Sequence, residues 1–76
     1  MTLDHILHRD VRRFLERKGI EGDSMSRKDN DLFIECDDLE TAFDLREITL
    51  QYHPCCLVTH PASKLPTLMI HSILNQ

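Results

Sequence analysis

Three cysteines and five histidines are the residues in this chain best equipped for chemistry, and five of these eight lie between His53 and His71. His53, Cys55 and Cys56 stand in the run HPCC, His60 follows four residues later, and Cys36 and His71 lie further off. Thiolates and imidazoles are the ligands zinc prefers, so spacing decides whether they can share an ion. If Cys55 to His60 is a strand, Cys56 and His60 lie roughly 13 Å apart, far beyond the separation of two ligands on one zinc. Cys55 and Cys56 then point to opposite faces of the sheet. The surviving combination is Cys56 with His71 from a neighbouring strand, joined by His53, and without a CxxC pair that is a thin donor set. The alternative for all three thiols is burial as small apolar groups.

The same pair could supply a nucleophile, since an imidazole beside a thiol raises its thiolate fraction. Cys36 is a second candidate, placed just before a helix start, although Glu35, Asp37 and Asp38 surround it with charge that opposes ionisation. The sequence contains no GxSxG, HExxH or glycine-rich phosphate loop, and its two glycines, Gly19 and Gly22, cannot build one. A non-enzymatic protein without a cofactor is the expectation.

Charge marks two further surfaces. Residues 1–19 hold five of the nine Lys and Arg, and residues 21–47 hold ten of the thirteen acids. Arg9, Arg13 and Arg17 follow i, i+4 spacing with Arg12 beside them, a row able to track phosphates. A net charge of −4 and a single tyrosine argue against nucleic acid as the partner. Glu40, Asp44 and Glu47 form the mirror case, a negative ridge suited to a basic protein surface.

Elements must position these groups. Thr2 can cap a helix running to about Lys18, with Leu3, Ile6, Leu7, Val11, Phe14 and Leu15 on one face. Gly19 fits the left-handed residue of a Schellman ending, which would bring Ile20 onto Leu15. Ser24 to Ser26 can pair with Leu32 to Ile34 across a turn at Asp29 and Asn30. Leu32 to Cys36 reads as a strand, Asp37 as the N-cap of a helix reaching Gln51, and Glu40 as its capping-box partner. Pro54 ends that helix. Its apolar members Leu39, Ala42, Phe43, Leu45, Ile48, Leu50 and Tyr52 span more arc than one sheet can cover, which calls for a second neighbour. Arg46 lies inside that arc.

The last 23 residues carry one formal charge, Lys64. Cys55 to His60 and Thr67 to Ile73 read as a hairpin. With His60 opposite Thr67, Val58 faces Met69 and Cys56 faces His71, while Cys55, Leu57, Leu68 and Ile70 share the other face. The helices can explain only one of these two uncharged faces.

The expected fold is α+β: a single domain over residues 1–76, a two-layer sandwich with two helices on a small, mainly antiparallel sheet, in the order α-(β)-β-α-β-β. No apolar run approaches the roughly 18 residues of a membrane span, and an odd cysteine count without a secretory leader points to the cytoplasm. The expected function is a regulator or inhibitor that binds another protein, working as a homodimer, with Glu40, Asp44, Glu47, Val58 and Met69 as contact residues. Self-association is expected through the C-terminal hairpin or through Leu45, Ile48 and Tyr52. The alternatives are metal or thiol chemistry at Cys56 and His71, and nucleic-acid binding through Arg9, Arg12, Arg13 and Arg17.

Overall fold

The computed structural model describes residues 7–59 and 64–71. In chain order these form α1 (Arg9–Lys18), a 3-10 turn (Gly22–Ser24), β1 (Met25–Lys28), β2 (Asp31–Glu35), α2 (Leu39–Leu50), β3 (Cys55–Thr59) and β4 (Pro66–Ile70). The strands make one antiparallel sheet in the order β1-β2-β4-β3. Because β2 and β3 both run opposite to β4, they are parallel to each other. A parallel pair needs a long crossover, which α2 supplies, and β4 fills the gap between them.

Both helices lie on one face of the sheet. Val11, Phe14 and Leu15 of α1 and Ala42 and Leu45 of α2 bury against Leu32, Ile34, Leu68 and Ile70. Each such aliphatic side chain taken fully out of water stabilises the fold by about 1.5–3 kcal/mol, and this shared layer positions everything else. Alternation along the strands follows directly. Leu32 and Ile34 are fully buried, so Phe33 between them points to the far side of the sheet.

Local signals account for most boundaries. Gly19 is left-handed at φ 71°, its N–H donates to the Glu16 carbonyl, and the Ile20 N–H donates to the Leu15 carbonyl. This is the double bond pattern of the Schellman ending. Asp29, also at positive φ, makes the two-residue turn with Asn30 between β1 and β2. The strand partners are shifted by one from the expected ones: Met25 meets Ile34, Ser26 meets Phe33 and Arg27 meets Leu32.

Four expectations are corrected. α1 does not continue back through His8: His8 is extended (φ −59°, ψ 147°) and is itself the N-cap, its ring accepting from the Asp10 N–H. Thr2, Leu3 and Ile6 lie outside the described residues. Asp38, not Asp37, caps α2, accepting from the Thr41 N–H at 2.7 Å, so Glu40 has no capping-box role. Asp38 is extended at φ −142°, and Asp37 is used in leaving the sheet, where the Cys36 N–H is still tied to Pro66. In the C-terminal hairpin, Cys56 lies opposite Met69 and Val58 opposite Thr67, two residues from the expected register, with β4 ending at Ile70. The expectation that His60 and Ile73 extend these strands falls outside the described residues. Finally, Leu45, expected on a self-association surface, is fully buried, and it is Phe43 of the same apolar arc that is 48% exposed.

Candidate functional site

The face of the sheet away from the helices carries the first candidate. Register places Ser26, Phe33, Met69 and Cys56 in one row across all four strands, and Glu35, Thr67 and Val58 in the next. Phe33, Cys56, Val58 and Met69 are partly exposed. An antiparallel sheet with one solvated face ordinarily alternates apolar inside with polar outside. Here Phe33, Met69, Cys56 and Val58 are apolar, with Thr67 buried among them and Ser26 and Glu35 at the flanks. Val58 and Met69 are brought to this face together, and Phe33 joins them. Its signal was available, since Leu32 and Ile34 cannot both face inward unless Phe33 faces out.

Cys56 and His71 meet on the same face. Cys56 Sγ lies 3.5 Å from His71 Nε2 despite the shifted register, because His71 just beyond β4 reaches diagonally across the strands. His53 does not join them. Its ring is buried on the helix side, where Nε2 accepts from the His8 N–H. Among the described residues no group of three or more His, Cys, Asp or Glu is placed to hold a metal ion. Cys36 is buried, and desolvation, followed by the charges of Asp37 and Asp38, pushes its thiol up to about 11. Cys55 is also raised, first by burial, and its Sγ contacts the Arg46 carbonyl at 3.8 Å. Neither thiol is activated.

The charged faces of the two helices come together rather than apart. α1 and α2 are antiparallel: the start of α1 touches the end of α2, and the charge of Lys18, at the other end, helps hold the Asp38 carboxyl low, after the stronger effect of its bonds from Thr41. Between them runs an open groove with two depressions of about 570 and 470 Å³. In the first depression Arg17 and Lys18 of α1 face Asp44 and Glu47 of α2; the second is lined by Asp10, Arg13, Glu16 and Arg17 of α1 with Gln51 and Tyr52 opposite, and Ile48 lies in both. Arg17 and Lys18 each sit 5.8 Å from the Phe14 ring. Among the described residues these walls are not joined by an ion pair. Arg17 of the arginine row and Asp44 and Glu47 of the acidic ridge therefore face each other across the groove, while Arg13 stands beside Asp10 and Glu16 of its own helix. Arg12 departs from the row, since its Nε is buried without a partner among the described residues. Glu40 is exposed on the solvent side of α2.

At one end of the groove sits a cluster that no sequence motif signals. His8 stacks on Tyr52 with centroids 3.5 Å apart and planes at 4°, and the Tyr52 hydroxyl donates to Asp10 at 2.6 Å. That bond holds the Asp10 carboxyl below its ordinary range and pushes the Tyr52 phenol up. His53 is lowered by desolvation and then by the charge of His8. These residues are more than forty positions apart in sequence and meet only because the helices are antiparallel.

The chain matches no protein-family model, no curated protein and no solved structure.

Proposed function

We propose that the protein is a small non-enzymatic binding module that docks another protein on the outer face of its sheet, as a regulator or inhibitor. The observation that carries this reading is the apolar centre of that face, where Phe33, Cys56, Val58 and Met69 are covered by neither helix. A coherent apolar patch ringed by polar groups is the usual mark of a protein contact. The acidic ridge is the weaker docking surface, because Arg17 and Lys18 stand across the groove from Asp44 and Glu47 and offset their field. The same juxtaposition weighs against nucleic acid, since phosphates tracking Arg13 and Arg17 would pass beside Asp10 and Glu16 in one depression and Asp44 and Glu47 in the other. The cytoplasm is the compartment proposed, in keeping with three free cysteines. Among the described residues, no helix is long and apolar enough to cross a membrane.

The test is quantitative binding to a partner captured from the native cell. Met69→Lys and Phe33→Lys should each weaken the complex at least tenfold, while the Asp44→Lys, Glu47→Lys double variant should leave it within a few-fold of wild type. Equal binding by all three would remove the sheet face as the docking surface.

The contact between Cys56 and His71 favours a second reading, thiol or metal chemistry. Against it, the contact lies on an open sheet, whereas both depressions are on the helix side. Elemental analysis finding about one zinc per chain, lost in Cys56→Ser, would favour that second reading.

A further inference from the structure

We infer that two copies of this chain join edge to edge through β3, continuing the sheet, with the outer flank of α2 packed against its own copy. The proposal stands apart from whatever docks on the outer sheet face.

The first observation is the edge itself. Among the described residues, β3 has β4 on one side and no strand on the other. The His71 N–H donates to the Pro54 carbonyl, and residues 54 and 71 are opposite in this register. In an antiparallel ladder, bonded pairs alternate, so Cys56 and Val58 spend their backbone groups on β4, while Cys55, Leu57 and Thr59 turn theirs toward the open edge. The two edges of the sheet are treated differently. β1 carries Arg27 and Lys28, the charges that keep an edge from pairing with another chain, whereas Cys55–Thr59 has no charge and no proline.

The second observation is on the helix above it. Leu39, Phe43, Arg46 and Leu50 recur at i, i+4, i+7 and i+11, a single stripe along α2. Leu39 is 55% exposed, Phe43 48% and Leu50 46%. This stripe faces away from α1, which takes the opposite flank of α2 through Tyr52 and Ile48. α2 lies over β3 and β4, and the Arg46 carbonyl receives the Cys55 thiol, so the stripe overhangs the free edge. The wide apolar arc of this helix thus has one flank for α1 and one left open.

A second copy is the occupant that both features fit. Five strand residues at about 3.3 Å each span about 17 Å, and twelve helix residues at 1.5 Å span about 18 Å, so the edge and the stripe are the same length. A two-fold axis across β3 pairs it with itself antiparallel, the preferred ladder, and sets α2 antiparallel to its copy. An uncharged strand meets an uncharged strand, and the one charge in the stripe, Arg46, meets a surface bordered by Glu40 and Glu47 of the other copy. The result is an eight-stranded sheet with two outer patches side by side.

Sedimentation of the full chain from 5 to 500 μM tests this, with amide hydrogen exchange at both ends of the range. The expected result is a species of twice 8.9 kDa, with the Leu57 amide protected at least tenfold more at the high concentration. Phe43→Glu and, separately, Thr59→Pro should each weaken the dimer at least a hundredfold without changing the circular dichroism. Met69→Lys, on a central strand, should leave it intact. A monomer at 500 μM overturns the inference, as does a Leu57 amide protected at every concentration, which would mean that this chain covers its own edge. A dimer dissolved by Met69→Lys and unmoved by Phe43→Glu overturns it in favour of face-to-face packing.

Discussion

His53 offers a direct test of how the two helices are held together. Its Nε2 accepts the His8 N–H at 3.1 Å, which requires a neutral ring with its proton on Nδ1. The residue is 7% exposed, and Nδ1 has no partner among the described residues. Protonation would put a hydrogen where the lone pair is needed and leave a charge out of water. Desolvation and the nearby His8 accordingly lower its pKa from the ordinary 6.5. In the unfolded chain His53 binds its proton near that ordinary value, so below about pH 6.5 the unfolded state binds more protons than the native state. The stability from a neutral His53 is complete above that pH and is lost as pH falls toward the lowered native pKa. One proton corresponds to a slope of at most about 1.4 kcal/mol per pH unit. With an m-value of about 1 kcal/mol/M, the urea midpoint should fall by up to about 1.4 M per pH unit inside that window. Urea melts at half-unit steps from pH 7.5 to 5, repeated on His53→Gln, isolate the effect, because glutamine can still accept from His8 but does not titrate here. Ring nitrogen shifts by NMR give the tautomer directly. A native His53 that titrates at or above 6.5, or an unchanged slope in His53→Gln, would refute the argument.

Three other outcomes follow from the same geometry. Gly19→Ala should destabilise by about 1 kcal/mol in denaturant melts, from the left-handed φ of 71° alone, since no atom lies within 4 Å of the added Cβ. Cys36 should resist a thiol reagent at pH 8 until the protein is unfolded, because it is buried and its pKa is about 11, while Cys56 is labelled in the native state; equal rates would contradict the core placement. The Asp44→Lys, Glu47→Lys double variant should lower the thermal midpoint slightly at low salt and recover in 0.5 M salt, since it replaces attraction across the groove by repulsion from Arg17 and Lys18; a midpoint insensitive to salt would show that the two walls do not interact.

Where a signal is local, the sequence carried it. The Gly19 ending, the turn at Asp29 and the two C-terminal strands each depend on a few adjacent residues, and each is present. The α+β sandwich with its strand order along the chain follows from those elements. The start of α1 departs from the pattern: apolar periodicity runs unbroken through Leu7, while His8 is pulled out of helical geometry by bonds to Asp10 and His53, the latter 45 residues away. Choosing between Asp37 and Asp38 as the cap was equally beyond local reasoning, since the two differ only in where the chain must leave the sheet. The hairpin register slipped by two, which conserves the facing of every side chain and so left Val58 and Met69 on the correct surface.

Helix faces were the harder problem, and they bear on function. Sequence alone places Arg13 and Arg17 on one amphipathic helix and Asp44 and Glu47 on another, each looking like a separate docking ridge. Antiparallel packing sets Arg17 across one groove from Asp44 and Glu47, where each side reduces the other's reach into solvent. A partner recognised mainly by charge would have to compete with the protein's own opposite wall. Among the described residues the outer sheet face and the β3 edge have no such internal competitor: neither helix lies above Phe33 and Met69, and no strand lies beside the edge groups of Leu57. Leu39, Phe43 and Leu50 extend that uncompensated surface onto α2. Among the described residues, Leu39, Phe43 and Leu50 beside β3 and Phe33 and Met69 on the far face of the sheet are thus apolar surface that association there would remove from water.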